Sequence, residues 1–416
     1  MIGTGKITSI LHYKGIAIDL NHTLLRYKMR EFGRLYYDWT ARYLVERLGY
    51  PRGISLGEEE DPESLLNFTF RSCFDRENGV FLKISDTGGR VMRAYRGTKL
   101  LSRGDVQRLY GEQCSINHLQ TFNMQDPRFV HFHNLYKAVK VPLIARAVDL
   151  LTGRLGMQGK SIDTVLSDVV EADSFNFRPV DRERLRRGDF QPNLLAEILQ
   201  DPPRYIHPVP PRAYERLAAL RKIGKFVFLV SNTSIDKADI LLESRLGKNW
   251  QDFFDMIILQ AGKPDFFSME GHNLPFTDRE GKPFDPKTFL KTHLLDKVLL
   301  GGHISHLNEF FSSQFSKNFR VLLYGDSFAS DCPFIFKRVE GKHWHLAHIL
   351  EELREIENGV DTREYFDYRK VWGSALFDTC MVGNASPTLV FNFANNYANR
   401  TFSSFSSDEN LEFLTA

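Results

Sequence analysis

The segment Gly15–Tyr27, with the sequence G-I-A-I-D-L-N-H-T-L-L-R-Y, constrains the fold more than any other part of the chain. Ile16, Ala17 and Ile18 form a short apolar run, which is typical of a buried strand in a parallel sheet. The run ends at Asp19, where polar residues begin. Because ligands of open α/β sheets bind beyond the carboxyl ends of the strands, we predict that Asp19 lies at a functional site.

Aspartate is also common in turns and at helix N-termini, so Asp19 alone is weak support for a site. Three later apolar runs strengthen the prediction, because each is followed by a group suited to the same chemistry. These groups are Ser231 after the run 226–230, Lys263 after the run 256–259, and Asp326 with Asp331 after the run 320–324. The four strand ends together predict one shared site in an α/β protein with a parallel sheet.

The functional groups at these strand ends suit the transfer of a phosphoryl group. Asp19 and Asp326, with a backbone carbonyl near Asn21, offer the hard oxygen ligands that Mg²⁺ prefers. The Lys263 ammonium and the Ser231 hydroxyl suit the binding of a phosphate. A carboxylate such as that of Asp19 can attack phosphorus and form an aspartyl-phosphate. A metal ion and a lysine then stabilise the charge on the transferred group.

The order of these groups resembles the four-motif signature of the haloacid dehalogenase superfamily and, within it, the cytosolic purine 5′-nucleotidase family. Further similar segments are Asn21-His22-Thr23-Leu24 with Arg26-Tyr27, Arg96-Gly97-Thr98-Lys99, Arg146-Ala147-Val148-Asp149, Phe266-Phe267, Glu351-Glu352-Leu353-Arg354 and Trp372-Gly373-Ser374. The resemblance extends over nearly the whole chain. It implies a Rossmann-like haloacid-dehalogenase core with a parallel sheet, plus an inserted, mostly helical cap domain.

The same resemblance implies a role for each residue at the strand ends. Asp19 is implied to be the nucleophile. The phosphate-binding residues are implied to be Ser231, Asn232 and Lys263. The implied cofactor is Mg²⁺, and its implied ligands are Asp19, Asn21, Asp326 and Asp331.

Asn21 departs from the pattern of the phosphatases in this superfamily. They carry an aspartate two residues after the nucleophile, which protonates the leaving oxygen and then activates water. Asparagine at this position can donate a hydrogen bond, and its backbone carbonyl can bind a metal ion, but its side chain cannot transfer a proton. Because general acid–base catalysis contributes about 10²–10⁴-fold to a rate, we expect an intact binding site with impaired turnover.

Two strand-like runs, 80–84 and 91–95, flank a Gly-Gly pair and predict a β-hairpin at the start of a second unit, and the prolines of 202–211 mark its end. We therefore predict two domains, a core made of residues 1–80 and 205–416 and an inserted domain made of residues 81–204, which the resemblance implies to be the cap.

Within the cap, Tyr136 matches the aromatic residue that stacks on the base in the purine nucleotidases, and His133 lies close to it in the sequence. Both are candidates for substrate binding. The alternative is that both side chains pack in the core or at its rim, because aromatic residues pack far more often than they recognise bases.

Length, net charge and cysteine content indicate the general class of protein. The chain has 416 residues, enough for a large core and two compact units, and its net charge of +2 predicts no strong attraction to nucleic acid or to a membrane. The four cysteines are widely scattered, which is typical of reduced thiols in a cytoplasmic protein. The N-terminal residues have no long apolar run of the kind found in a secretory signal, so we expect a cytoplasmic location.

We therefore predict a Mg²⁺-dependent phosphomonoester hydrolase of the 5′-nucleotidase type, which acts through an aspartyl-phosphate and whose acid/base step is attenuated by Asn21. Its expected partner is a nucleoside monophosphate or another small phosphomonoester, and a homo-oligomer is compatible with the sequence. Two alternatives stay open. One is a catalytically weak or inactive nucleotide- or phosphate-binding protein, which Asn21 favours. The other is a protein-interaction scaffold with a vestigial site, against which the retained Asp19 and Lys263 argue.

Overall fold

The computed structural model of the protein describes residues 11, 13–57, 60, 73–84, 91–116, 127–132, 135–153, 157, 159–267, 274–284, 297–331 and 343–348. These residues form two compact units. The first unit contains the described residues up to Tyr27 and from Ile206 onward, and the second contains those from Lys28 to Tyr205.

The strands are β1 (Gly15–Ile18), β2 (Cys73–Asp75), β3 (Val80–Ile84), β4 (Val91–Arg96), β5 (Lys99–Leu100), β6 (Phe129–His131), β7 (Phe226–Val230), β8 (Met256–Leu259), β9 (Phe276–Thr277), β10 (Pro283–Phe284), β11 (Val298–Gly301), β12 (Val321–Gly325) and β13 (Trp344–His348). The helices are α1 (Met29–Leu48), α2 (Arg103–Tyr110), α3 (Leu135–Ala138), α4 (Val141–Thr152), α5 (Ile162–Asn176), α6 (Arg182–Arg187), α7 (Leu194–Gln200), α8 (Pro202–Tyr205), α9 (Pro211–Lys222), α10 (Ile235–Leu246), α11 (Ile304–Gln314) and α12 (Phe328–Asp331). Short 3₁₀ turns cover Arg52–Ile54, Trp250–Phe253 and Asp265–Phe267.

The first unit is built on a mostly parallel sheet with the strand order β10-β9-β11-β8-β7-β1-β12-β13. The six strands from β11 to β13 in that order are parallel to their neighbours, and the two-residue strands β9 and β10 add an antiparallel edge. Strands β1, β7, β8 and β12 are buried along their whole length. Their continuous apolar sequences therefore agree with strands that are covered on both faces.

The strand order creates a switch point between β1 and β12. From β1 the chain continues to β7 on one side of the sheet, and from β12 it continues to β13 on the other side. Adjacent strands whose connections leave in opposite directions form a crevice beyond their carboxyl ends, and ligands of α/β proteins bind there. Asp19 follows β1 directly and Asp326 follows β12 directly, so both residues lie at this crevice.

An aromatic cluster packs helix α11 against the central strands. The rings of Phe310 and Phe311 lie 5.2 and 5.6 Å from the ring of Phe226, and Phe311 also lies 5.6 Å from Phe228. On the same strand Phe228 contacts Trp344 of β13 at 6.1 Å between ring centroids. Burial of such large apolar side chains stabilises the sheet strongly, and this packing fixes the strand ends that carry the site.

The second unit combines helices with a five-stranded antiparallel sheet of order β5-β4-β3-β2-β6. The strand-like runs 80–84 and 91–95 predict the β3–β4 hairpin, which the structure confirms. The sequence does not predict β2 and β6, which have only three residues each and are too short to show a period. Among the described residues of this unit, four helix starts have side-chain caps, which are Ser102, Ser161, Asp181 and Asn193.

Helix α1 belongs to the second unit because its tyrosines bond to helix α5. The hydroxyl of Tyr36 donates to Asp173 at 2.5 Å, and that of Tyr43 donates to Glu171 at 2.8 Å. The boundaries between the two units accordingly lie after Tyr27 and after Tyr205. The division predicted from the sequence, with residues 81–204 as an inserted cap, stays a prediction. Across the described residues, we find no helix that is long and apolar enough to span a membrane.

Candidate active site

The site is formed by loops at the carboxyl ends of four neighbouring strands. Asp19 follows β1, Asp326 follows β12 and Ser231 follows β7, while Lys263 lies four residues after the end of β8. Strands β8, β7, β1 and β12 are consecutive in the sheet. The structure therefore brings together four polar groups that are far apart in the sequence.

Three buried carboxylates lie at the centre of the site. One carboxylate oxygen from each of Asp19, Asp326 and Asp331 lies within 4.8 Å of the other two. The ammonium of Lys263 lies 2.7 Å from Oδ1 of Asp19 and also bonds to Asp331. The four side chains are buried, so this is a compact charged cluster in which one ammonium balances only part of the charge of three carboxylates.

Asp331 reaches this cluster because of the turn that follows β12. Its Oδ2 atom accepts a hydrogen bond from the backbone N–H of Ser327 at 3.0 Å, and its own N–H donates to the Ser327 carbonyl at 2.7 Å. Gly325 leaves the space for the carboxylate, since a Cβ atom there would lie 2.5 Å from Oδ2 of Asp331. A larger residue at position 325 would therefore require the Asp331 carboxylate or the backbone of the turn to shift.

Burial and neighbouring charges shift the pKa values of the groups in this cluster. Burial raises the pKa of Asp326 well above its usual range, and the negative charges of Asp331 and Asp19 raise it further. Burial also raises the pKa of Asp331, to about 6, although Lys263 acts in the opposite direction. Burial alone would lower the pKa of Lys263, but Asp19 and Asp331 raise it above its ordinary value. Lys263 is therefore charged, and the carboxylates repel one another.

The donor set fits a small divalent cation. Mg²⁺ prefers carboxylate and carbonyl oxygen atoms in a compact site, and the three clustered carboxylates supply such atoms. The repulsion among Asp19, Asp326 and Asp331 is the kind of interaction that a bound cation relieves. The space that Gly325 leaves for the Asp331 carboxylate preserves this close grouping.

Asn232 positions Lys263 through two hydrogen bonds to its backbone. The amide Nδ2 of Asn232 donates to the Lys263 carbonyl at 2.8 Å, and the Lys263 N–H donates to Oδ1 at 2.7 Å. This pair of bonds ties the loop after β7 to the loop after β8. The sequence assigns Asn232 to phosphate binding. That role stays a prediction, and the geometry gives the side chain a positioning role.

Asn21 and Ser231 are connected through a chain of hydrogen bonds. The hydroxyl of Tyr27 donates to Oδ1 of Asn21 at 3.0 Å, and Nδ2 of Asn21 donates to Oγ1 of Thr233 at 2.8 Å. The Thr233 and Ser231 hydroxyls lie 3.1 Å apart. The sequence assigns no role to Tyr27 or Thr233. Ser231 and Thr233 are two residues apart in one polar turn of the sequence, and this spacing indicates that their hydroxyls are neighbours.

Two basic residues near the site have lowered pKa values. Burial and the positive charge of Lys237 of helix α10 together lower the pKa of His22 to about 3. His22 is therefore neutral, and its ring stacks on Tyr27 at 4.7 Å. Burial lowers the pKa of Lys237 to about 8, while the charge of Asp19 acts to raise it. The sequence singles out neither residue as part of a site.

Comparison with known proteins identifies the family. The 5′ nucleotidase family profile matches residues 9–371. The chain is 30% identical to 5′-nucleotidase domain-containing protein 1 of Bos taurus over 359 residues, which cover 83% of this chain and 73% of that protein. The protein of the same name from Homo sapiens is 29% identical over 408 residues, 91% of this chain and 85% of that protein. The chain belongs to the 5′-nucleotidase family.

This membership confirms the family predicted from the sequence, and the family name denotes a hydrolase. The human 5′-nucleotidase domain-containing protein 2 is also similar, at 25% identity over 372 residues that cover 86% of this chain and 64% of that protein. Membership of the 5′-nucleotidase family supports a nucleotide phosphomonoester hydrolase. It does not by itself assign roles to Asp19, Asn21 or the other residues of the site.

Tyr136 and His133 are the substrate-binding candidates of the second unit, and the structure describes only the first of them. Tyr136 is half-buried, and its ring lies 5.5 Å from Phe177 and 6.4 Å from Phe32, with the Lys140 ammonium 5.7 Å from its centroid. These contacts agree with the packing alternative and do not test a stacked nucleobase. His133 lies outside the described residues. Substrate binding by this 5′-nucleotidase family member through Tyr136 and His133 stays a prediction.

Proposed function

We propose that this member of the 5′-nucleotidase family is a Mg²⁺-dependent phosphomonoester hydrolase that acts on nucleoside monophosphates through an aspartyl-phosphate on Asp19. The observation that carries the proposal is the buried cluster of Asp19, Asp326 and Asp331 around the Lys263 ammonium, at the switch point of a parallel sheet. The membership of the chain in a family of hydrolases supports the same reaction class.

Asp19 is the proposed nucleophile because of its place in this cluster. A carboxylate oxygen of Asp19 attacks phosphorus, and the bond between phosphorus and the ester oxygen breaks, so that the nucleoside leaves and its oxygen takes a proton from water. Water then attacks phosphorus, and the bond to Asp19 breaks to release inorganic phosphate. The Lys263 ammonium, 2.7 Å from Asp19 Oδ1, holds the carboxylate in place and offsets negative charge on the transferred group. Its raised pKa keeps this charge over the whole physiological pH range.

Asp326 and Asp331, with Asp19 and the Asn21 carbonyl, are the proposed Mg²⁺ ligands. When bound, Mg²⁺ would neutralise the carboxylates and polarise the phosphate oxygens. Ser231 is proposed to donate a hydrogen bond to the phosphate of the substrate. Its buried hydroxyl lies at the end of β7, shortly before the N-terminal turn of α10. These roles agree with the haloacid-dehalogenase resemblance of the sequence.

Asn21 lowers the rate of phosphomonoester turnover that we expect. Its side chain can donate a hydrogen bond to the leaving oxygen, but it cannot protonate that oxygen or deprotonate water. The proposed enzyme therefore turns over slowly, with the hydrolysis of the aspartyl-phosphate most affected.

A second candidate function follows from the same residue. If the loss of proton transfer abolishes useful turnover, the charged cluster still suits the binding of Mg²⁺ together with a phosphate or nucleotide. The protein would then be a binding protein of the 5′-nucleotidase family rather than a working phosphatase.

A phosphate-release screen tests the proposed function. The purified chain is incubated with each nucleoside monophosphate and with p-nitrophenyl phosphate, in Mg²⁺ and in excess chelator. We expect slow, Mg²⁺-dependent release that is absent in Asp19→Asn. Release that persists in Asp19→Asn would contradict the assignment of the nucleophile, and the absence of release from every ester would favour the binding protein.

A further inference from the structure

We propose that Tyr27 is a positioning residue that fixes the orientation of the Asn21 side-chain amide. The inference rests on the proposed function, because it gives Asn21 a defined task in that reaction. The task is to present an N–H group, rather than a carbonyl oxygen, to the leaving oxygen of the substrate.

The orientation follows from the two partners of the Asn21 amide. A tyrosine hydroxyl is protonated at neutral pH, and that of Tyr27 donates to Oδ1 of Asn21 at 3.0 Å. The Nδ2 atom donates one of its two hydrogens to Thr233 Oγ1 at 2.8 Å. An amide nitrogen carries a second hydrogen, and because Asn21 lies only two residues from Asp19, this hydrogen suits a ligand oxygen at the site.

The hydroxyl group of Thr233 does not decide the orientation by itself. A threonine hydroxyl can both donate and accept, so Thr233 could bond to either end of the Asn21 amide. A rotated amide would place its carbonyl oxygen toward the ester oxygen of the substrate, and two acceptors would then face each other. A tyrosine hydroxyl can also accept, but it is more acidic than a threonine hydroxyl and therefore a better donor than acceptor. The hydroxyl of Tyr27 thus favours the orientation in which it donates to the carbonyl end of Asn21.

Tyr27 is itself held firmly. Its side chain is buried, and its ring stacks on that of His22 with 4.7 Å between centroids and 28° between the ring planes. Its backbone pairs with Ile206 in an antiparallel bridge, next to a hydrogen bond from His207 N–H to the Arg26 carbonyl at 2.8 Å. A rigid ring with a fixed hydroxyl is suited to orient a neighbour, since little conformational freedom is lost.

The test uses Tyr27→Phe, which keeps the ring and its stacking and removes only the hydroxyl. We expect kcat/KM for a nucleoside monophosphate, which reports formation of the aspartyl-phosphate, to fall by about 3- to 10-fold, the effect of one lost hydrogen bond. For p-nitrophenyl phosphate, whose leaving group needs little stabilisation, we expect kcat/KM to change by less than about 2-fold. Equal losses for both esters would indicate a structural role and overturn the proposal.

Tyr214→Phe is the matched control. Its hydroxyl donates to the Arg245 carbonyl at 2.7 Å and its ring lies 5.2 Å from that of Phe253, and neither partner is a residue of the site. This variant removes one hydroxyl hydrogen bond from the fold, so a small loss of stability and no dependence of the change in kcat/KM on the leaving group are expected. A leaving-group dependence in Tyr214→Phe would show that the measurement does not report on Asn21.

A second measurement does not depend on turnover. In protein labelled with ¹⁵N-asparagine, the Asn21 side-chain N–H signals are identified by their absence in Asn21→Asp. Tyr27→Phe should move these signals and speed their hydrogen exchange, while Tyr214→Phe should leave them unchanged. Unmoved Asn21 signals in Tyr27→Phe would overturn the inference even in an active enzyme. Shifted signals in a chain that releases no phosphate would support the inference and reject the proposed function.

Discussion

The ammonium of Lys263 lies 2.7 Å from Oδ1 of Asp19, although the two residues are 244 positions apart in the chain. Both side chains are nearly fully buried, and Lys263 also bonds to Asp331. A buried ammonium therefore connects the ends of β8, β1 and β12. The same contact that would support phosphoryl transfer also neutralises charges that the interior would otherwise not tolerate.

Replacement of Lys263 should destabilise the protein because it leaves buried carboxylates without their counter-charge. Lys263→Met should lower the free energy of unfolding by about 3–5 kcal/mol at neutral pH, the usual effect of removing one partner of a buried ion pair. The measurement is urea unfolding in the presence of chelator. Lys222→Met, which changes an exposed lysine of the same unit, should change the stability by less than about 0.5 kcal/mol. Similar losses in the two variants would contradict the buried network.

Stability in the presence of chelator should depend on pH through Asp331. Burial raises the pKa of this carboxyl from its ordinary value to about 6 in the folded protein. Between about pH 4 and pH 6 the folded state therefore binds more protons than the unfolded state. Stability should fall as the pH rises through this window, on the order of 1–3 kcal/mol.

Urea unfolding at a series of pH values checks this expectation. Asp331→Asn should make the profile less steep between pH 4 and pH 6, because its amide does not titrate, while the raised pKa of Asp326 still contributes to the slope. Saturating Mg²⁺ should also weaken the dependence, since a bound cation stabilises the ionised carboxylates. A profile that is unchanged in Asp331→Asn would show that another group causes the pH dependence.

The central strands could be predicted closely from the sequence because they are buried on both faces. The run 226–230 predicts β7 at the bounds Phe226–Val230 that the structure gives, and the run 256–259 does the same for β8. Strand β11, with four residues, and several shorter strands were not predicted from the sequence. β2 and β6 have three residues each, and β9 and β10 have two, so their pairing depends on neighbours rather than on their own pattern.

The grouping of Asp19, Lys263 and Asp326 also follows from the sequence, because the ends of parallel strands meet at one edge of a sheet. The contacts of Asn232 and Tyr27 do not. They depend on where side chains point across a loop, which no period or spacing specifies. A polar residue after a strand can contact a ligand or position another residue, and only the three-dimensional structure distinguishes these two roles.

The metal prediction concerns Asp326. If Asp19, Asp326 and Asp331 bind Mg²⁺ together, Asp326→Ala should abolish the heat of Mg²⁺ binding in the presence of a phosphate mimic, as measured by calorimetry. The matched control is Asp252→Ala, which removes an exposed carboxylate from the same unit and should leave the binding heat unchanged. Undiminished Mg²⁺ binding in Asp326→Ala would reject the proposed ligand set.

A nucleobase role for Tyr136 predicts a selective loss of affinity. Tyr136→Ala should weaken the binding of a non-hydrolysable nucleoside monophosphate analogue by about 1–3 kcal/mol, while the binding of inorganic phosphate stays the same. Titration of both ligands into each variant is the measurement.

Two controls separate recognition by Tyr136 from packing. Tyr136→Phe keeps the ring and should retain most of the nucleotide affinity. Tyr43→Ala removes another tyrosine of the second unit, whose ring lies 5.0 Å from Phe175, and should leave both affinities unchanged. Equal loss of nucleotide and phosphate binding in Tyr136→Ala would mean that its contacts with Phe177 and Phe32 only support the fold.

The prediction for Asn21 decides between a phosphatase and a binding protein. Attack by Asp19 requires a leaving group, and p-nitrophenyl phosphate supplies one that needs no protonation. Hydrolysis of the aspartyl-phosphate requires a base that asparagine cannot provide. We therefore expect slow release from nucleoside monophosphates and accumulation of phosphate on Asp19 with the activated ester, detected by the mass of the intact protein.

Asn21→Asp should restore proton transfer and raise turnover of nucleoside monophosphates by about 10²–10⁴-fold. The carboxylate can accept hydrogen bonds from both Tyr27 and Thr233 in place of the amide, so the local structure should persist. If the unaltered protein already turns over nucleotides at about 1–10³ s⁻¹, another base must act and the role assigned to Asn21 is wrong. If Asn21→Asp gains nothing although Mg²⁺ and phosphate still bind, proton transfer is not the missing step, and the binding function replaces the enzyme.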